Sequence, residues 1–195
     1  MTIMERIIGH ARTVLRHKYY VWLNCCKAGI PWRGLKHDLS KFSPVEFIES
    51  VEYYQGDRSP IDACKELNGV SYAWMHHKGR NSHHYEYWVD YLDQGGKAQI
   101  MPYKDVLEMM CDFLGAGMAY SKNSGKPFSY DAEYDWWKAK LKTNPKMHYK
   151  TVYFCEAMFY TMKKEGTNDC LIPRRSKFIY KASSQSTRYA RRHKS

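Results

Sequence analysis

Leu35-Lys36-His37-Asp38-Leu39-Ser40-Lys41-Phe42-Ser43-Pro44-Val45-Glu46 joins a candidate site to a helix start. His37 and Asp38 put two kinds of metal ligand on adjacent residues. An imidazole binds one ion through one nitrogen, whereas a carboxylate can bridge two ions through its two oxygens. Ser43 then reads as an N-cap, Pro44 suits the first helical position and Glu46 stands three residues past the cap.

The same punctuation organises the rest of the chain. Thr2 to Ala28 is predicted as one long helix, with Ile3, Ile7, Val14 and Val21 recurring at helical spacing and Gly29-Ile30-Pro31 as its stop. Trp32 to Lys41 is a short connection or helix. Ser43 to about Gln55 is a helix, and Ser59-Pro60-Ile61-Asp62 opens another to about Leu67. Ser71 to His77 and His83 to Leu92 are helical around a break at Lys78 to Asn81. Pro102 to Tyr120, Tyr130 to Leu141 and His148 to Lys164 complete the set. No segment alternates with period two, so the expectation is an all-α bundle of about six to eight helices.

The 195 residues carry a net charge of +11, unevenly placed. After Asp169, the last acidic residue, come Arg174, Arg175, Lys177, Lys181, Arg188, Arg191, Arg192 and Lys194. This divides the chain into a body, residues 1–166, and a basic, flexible extension, residues 167–195, with Phe178, Ile179 and Tyr180 as its possible anchor. The six cysteines have no CxxC spacing and read as buried free thiols of a reducing compartment. No apolar run approaches membrane-spanning length, and Met1 to Arg16 lacks a signal-peptide core. The expected location is cytoplasmic, with no membrane partner.

Potential ligands in chain order are His10, His17, His37, Asp38, His76, His77, His83, His84, Asp112 and His148. His10 and His17 lie seven apart, on one helix face. His76-His77 and His83-His84 are two adjacent pairs; in each, only one side chain can face a given centre, and the other points elsewhere or meets a second ion or substrate. Lys41, one turn beyond Asp38, is the first candidate to meet a phosphoryl oxygen. Lys78, Arg80 and Asn81 follow, with His17 as a further substrate contact. Trp74, Tyr85, Trp88 and Tyr103 could stack a base, although aromatic residues at helical spacing serve the core more often. His148 reads as a helix-start residue that bonds its neighbours.

The order His, His-Asp, His, His, Asp resembles the HD superfamily of metal-dependent phosphohydrolases. It is carried by His10 to Val14, by Leu35 to Lys41 and by Cys111-Asp112-Phe113. Over about residues 1–166 the chain is also similar to an uncharacterised family of short bacterial and phage proteins. The shared motifs are His37 to Pro44, Ala73 to Trp88, Pro102-Tyr103 and Asp112 to Gly117. One departure from the usual HD pattern is that the two middle histidines stand only seven apart.

The resemblance implies an HD-like helical fold in which His10, His37, Asp38 and Asp112 hold one ion. Asp38 bridges to a second ion held by His76 or His77 and His83 or His84. It implies one or two divalent transition-metal ions, manganese, iron, zinc, cobalt or nickel, acting on a phosphomonoester or phosphodiester. Asp38 and Lys41 would be catalytic and a nucleotide the favoured substrate. Two alternatives stay open: a di-iron oxygenase built on the same ligands, and a nucleic-acid-binding protein that uses the basic extension.

Overall fold

The computed structural model describes residues 1–90 and 96–185. Its main elements are α1 (Ile3–Lys27), α2 (Pro31–Lys36), α3 (Pro44–Glu52), α4 (Pro60–Asn68), α5 (Tyr72–Arg80), α6 (Tyr103–Ser124), α7 (Tyr130–Lys142), α8 (Tyr149–Glu165) and α9 (Pro173–Gln185). Short 3-10 turns lie at Leu39–Phe42, Tyr85–Trp88 and Asp169–Leu171. Among the described residues the fold is all-α apart from one antiparallel pair, β1 (Val89–Asp90) with β2 (Lys97–Ala98).

α6 is the axis of the bundle. Its residues from Asp105 to Asp112 are all buried, as expected of a helix enclosed by neighbours. Val106, Met109, Met110 and Leu114 join Trp137 of α7 and Phe154, Met158 and Phe159 of α8 in one apolar core. α1 starts with a Thr2–Glu5 capping box and buries His10, Val14, His17, Val21, Asn24 and Cys25. Ile3 and Ile7, which share the predicted period, are exposed. Thr13 meets Asn123 and Asn24 meets the Cys111 carbonyl, so α1 and α6 run antiparallel. Gly115 permits their close approach, since a Cβ there would lie 2.5 Å from Val21.

Two expectations change here. The helix predicted over His83 to Leu92 is replaced by a turn, the 3-10 turn Tyr85–Trp88 and β1, as far as residue 90; Leu92 lies outside the described residues. Trp88 Nε1 donates to the Ser82 carbonyl at 2.7 Å, folding this segment back on itself. The boundary at residue 166 moves as well. Cys170 and Leu171 sit in the main core, and Tyr180 donates to the Met101 carbonyl at 2.9 Å. Arg175 has an acidic partner in Glu165. Of the three proposed anchors, Ile179 and Tyr180 pack on the core, whereas Phe178 is exposed. The remainder of the expected basic extension, residues 186–195, lies outside the described residues.

Five of the six free cysteines are buried, and Cys26 is exposed. His148 caps α8, its Nδ1 accepting the Lys150 amide at 3.2 Å. On α7, Glu133 packs its carboxylate against Gly117 of α6. Burial pushes this carboxyl from its ordinary 4.5 up to about 7. Between those values the folded chain keeps a proton that the unfolded chain has released, so stability falls as pH rises through the window. The cost is on the order of 3 kcal/mol above pH 7. Glu133→Gln should therefore raise the Tm by about 6–12 °C at pH 8 and change it little at pH 4.5. Thermal melts at the two pH values check this; an equal shift at both would refute it.

Candidate metal centre

The His37-Asp38 dipeptide ends α2 in a turn. His37 has φ −51° and ψ 130°, and Asp38 has φ 53° and ψ 32°, in the left-handed region. In a helix, adjacent side chains diverge by about 100°; this kink instead sends both inward. His37 is 2% exposed and Asp38 1%.

Asp38 is the centre of the cluster. Its Oδ1 faces His77 Nε2 and His83 Nε2, each at 3.2 Å. Its Oδ2 faces His37 Nε2 at 3.3 Å and His17 Nε2 at 3.6 Å. Asp112 Oδ1 lies 3.1 Å from His17 Nε2 and 3.4 Å from His37 Nε2. Two groups of four ligand atoms result: His17, His37, Asp38 and Asp112; and Asp38, His77, His83 and His84.

These positions revise the expected ligand set. His17, placed among the substrate contacts from sequence, takes the position expected of His10. His10 packs edge-on against Phe47 of α3 and against Tyr54, just beyond that helix. His76 turns to Glu46, its Nδ1 at 2.6 Å from Oε1, and stays outside the cluster. His83 and His84 both enter, because they lie in a turn and not on a helix.

Two carboxylates not singled out as site residues orient the rings. Glu108 Oε1 takes His37 Nδ1 at 3.1 Å and lies 3.4 Å from His83 Nδ1. Glu46 Oε2 takes His77 Nδ1 at 2.7 Å. Such partners fix a ligand's tautomer and leave its Nε2 for the ion. Glu46 was legible only as a helix-start residue. Glu108 had a signal, since Asp105, Glu108 and Asp112 share one face of an otherwise apolar helix. Arg33 bonds Asp105 and Glu108 at 2.5 Å each, holding that face to α2.

Of the cations expected to read a phosphate, Lys41 is in place. Its Nζ lies 2.7 Å from Asp38 Oδ2, with a quarter of the side chain exposed. Asn81 donates to Ser40 Oγ at 3.0 Å and to the His77 carbonyl at 2.8 Å, bracing the site from behind. Arg80 is exposed and lines a groove with Trp32 and Lys36. Lys78 is half-buried and acts electrostatically on Lys65 of α4. Trp74 packs against His77 and His84, and Tyr103 bonds Ser176, so both serve the framework.

Electrostatics follow from burial and this packing. Burial opposes charge on Asp38, yet His37, Lys41 and His77 outweigh it and hold its pKa well below the usual range. Asp112 is held low in the same way by His17 and His37. Burial also opposes charging of His37, but Asp38, Asp112 and Glu108 raise its pKa well above the ordinary value. His84 moves the other way, lowered by burial and by His83.

The donor set fits transition-metal ions. His17 Nε2, His37 Nε2, His83 Nε2, His84 Nε2 and Asp38 Oδ1 are buried without a hydrogen-bond partner, and Asp38 Oδ2 has the Lys41 ammonium beside it. Buried polar atoms are normally satisfied, and here they converge. Neutral imidazoles with carboxylates suit manganese, iron, cobalt, nickel or zinc more than magnesium.

A family model described as a family of unknown function (DUF5662) matches residues 6–161. The chain belongs to DUF5662. The match spans every residue of the cluster and ends within α8. No curated protein and no solved structure matches this DUF5662 chain.

Proposed function

We propose that the protein is a metal-dependent phosphohydrolase acting on a phosphomonoester or phosphodiester. The observation that carries this is the two-sided placement of Asp38, each carboxylate oxygen facing a separate set of histidine nitrogens, among them the unpartnered Nε2 atoms of His37 and His83. His17, His37, Asp38 and Asp112 would hold one ion, and Asp38, His77, His83 and His84 a second. Such ions supply an acidified water and neutralise charge on phosphoryl oxygens.

The chain's own residues supply the rest. Glu108 and Glu46 hold the ring tautomers. Lys41 reaches from Asp38 into the adjoining cavity, where its ammonium can meet a phosphoryl oxygen as charge develops there. Burial of the cluster strengthens each of these contacts.

The test is a panel of phosphoesters assayed for released phosphate with manganese, iron, cobalt, nickel and zinc. The expected result is metal-dependent release under anaerobic conditions. Strict iron dependence with oxygen uptake and no phosphate would replace this function with the di-iron oxygenase. Retention of nucleic acid without turnover would favour the non-enzymatic alternative.

A further inference from the structure

Two hollows touch the candidate centre from opposite sides. The groove beside Trp32 and Arg80 reaches His37, His83 and Glu108. It therefore meets the two rings from the side of Nδ1, where Glu108 already holds them. The other hollow is bordered by His17, whose Nε2 is one of the unpartnered ligand atoms, by Asp112 of the same ligand group and by Lys41. A substrate attacked at the cluster enters through this second cavity.

The cavity is small, about 130 Å³. Ile61, Ala73, Ala116 and Ala119 give it apolar walls, and His10 and Tyr120 stand among them. His10 is 6% exposed and its Nδ1 has no hydrogen-bond partner. An apolar cavity of about 150 Å³ accommodates benzene, while pockets for drug-sized ligands run from about 300 Å³ upward. A nucleoside bound here would extend beyond the enclosed space.

Resting on the phosphohydrolase function, we propose that the substrate is a small phosphomonoester whose alcohol has no more than about six heavy atoms, in place of the nucleotide expected from sequence. Its phosphoryl group faces Lys41 and the cluster. The alcohol portion lies between Ile61 and Ala116, with any polar substituent toward His10 and Tyr120. In the reaction a water oxygen bonds to phosphorus and the ester P–O bond breaks. The proton lost by water ends on the leaving oxygen, giving the free alcohol and inorganic phosphate.

The test uses the full chain loaded with manganese. Propylphosphonate, which has no ester bond to cleave, and adenosine 5′-monophosphate are titrated by calorimetry, alongside phosphate release from glycerol phosphate and the nucleotide. Propylphosphonate should bind at least about tenfold tighter than the nucleotide, and Ala116→Leu should weaken it at least about tenfold with metal content unchanged. Ile61→Ala, at the rim, should shift preference from propyl- to phenylphosphonate. Equal or tighter nucleotide binding, or indifference to both substitutions, overturns the size limit. If the nucleotide is also hydrolysed, the phosphohydrolase function stands without that limit. If no phosphonate binds and no ester releases phosphate, both fall.

Discussion

Asp38→Asn is expected to empty both halves of the centre at once. The wild-type chain should carry about two equivalents of transition metal by elemental analysis, and the variant close to none. Phosphate release should vanish with the metal. The reason is geometric: Asp38 Oδ1 serves the His77 and His83 side, and Oδ2 the His17 and His37 side. An amide has one acceptor oxygen and no net charge, so neither group of ligands is left complete. Helicity should survive, because the apolar core of α6, α7 and α8 lies on the other face of α6. Lys41 loses its carboxylate, but it is a quarter exposed and can turn to water. Circular dichroism beside elemental analysis separates the outcomes. Retention of one full equivalent would sink the bridging assignment.

The second large effect is expected on removing metal from the intact chain. Without ions, the cluster keeps several buried ligand atoms unpaired, each at a desolvation cost. Binding to the folded state alone stabilises by mass action: one ion at a thousand times its Kd contributes about 4 kcal/mol. For a chain of this size that corresponds to a Tm change of roughly 8–16 °C. Dialysis against a chelator should lower the Tm by that amount, and manganese or zinc should restore it. Metal retention should weaken toward acid pH, because imidazole ligates only when neutral. A Tm indifferent to chelator in protein first shown to bind metal would contradict a centre coupled to the fold.

Much of this centre was legible from residue types and spacing. His37-Asp38 stood out as a two-ligand dipeptide, and Ser43-Pro44 and Ser59-Pro60 marked the starts of α3 and α4. The choice between His10 and His17 was not legible. Both occupy one face of α1, and only the packing of α1 on α6, with Val21 seated against Gly115, decides which meets Asp112. Pair preferences failed for a different reason. The expectation of one inward histidine per pair holds for His76-His77 on α5, and it fails for His83-His84 because that segment is not helical. Glu46 was hidden behind a second plausible role, since the same Ser-x-x-Glu spacing that begins a helix placed its carboxylate under two imidazoles.

The left-handed backbone at Asp38 bears on how substitutions there should be chosen and read. Most L-residues pay about 1–2 kcal/mol to adopt that conformation, whereas asparagine tolerates it and glycine adopts it freely. An alanine scan would therefore merge two losses at this position, a carboxylate and a permitted backbone, and would overstate the chemical one. Asparagine and glycine separate them. In a saturation library position 38 divides the amino acids by conformation before it divides them by charge, so cellular abundance and metal content would rank the same variants differently.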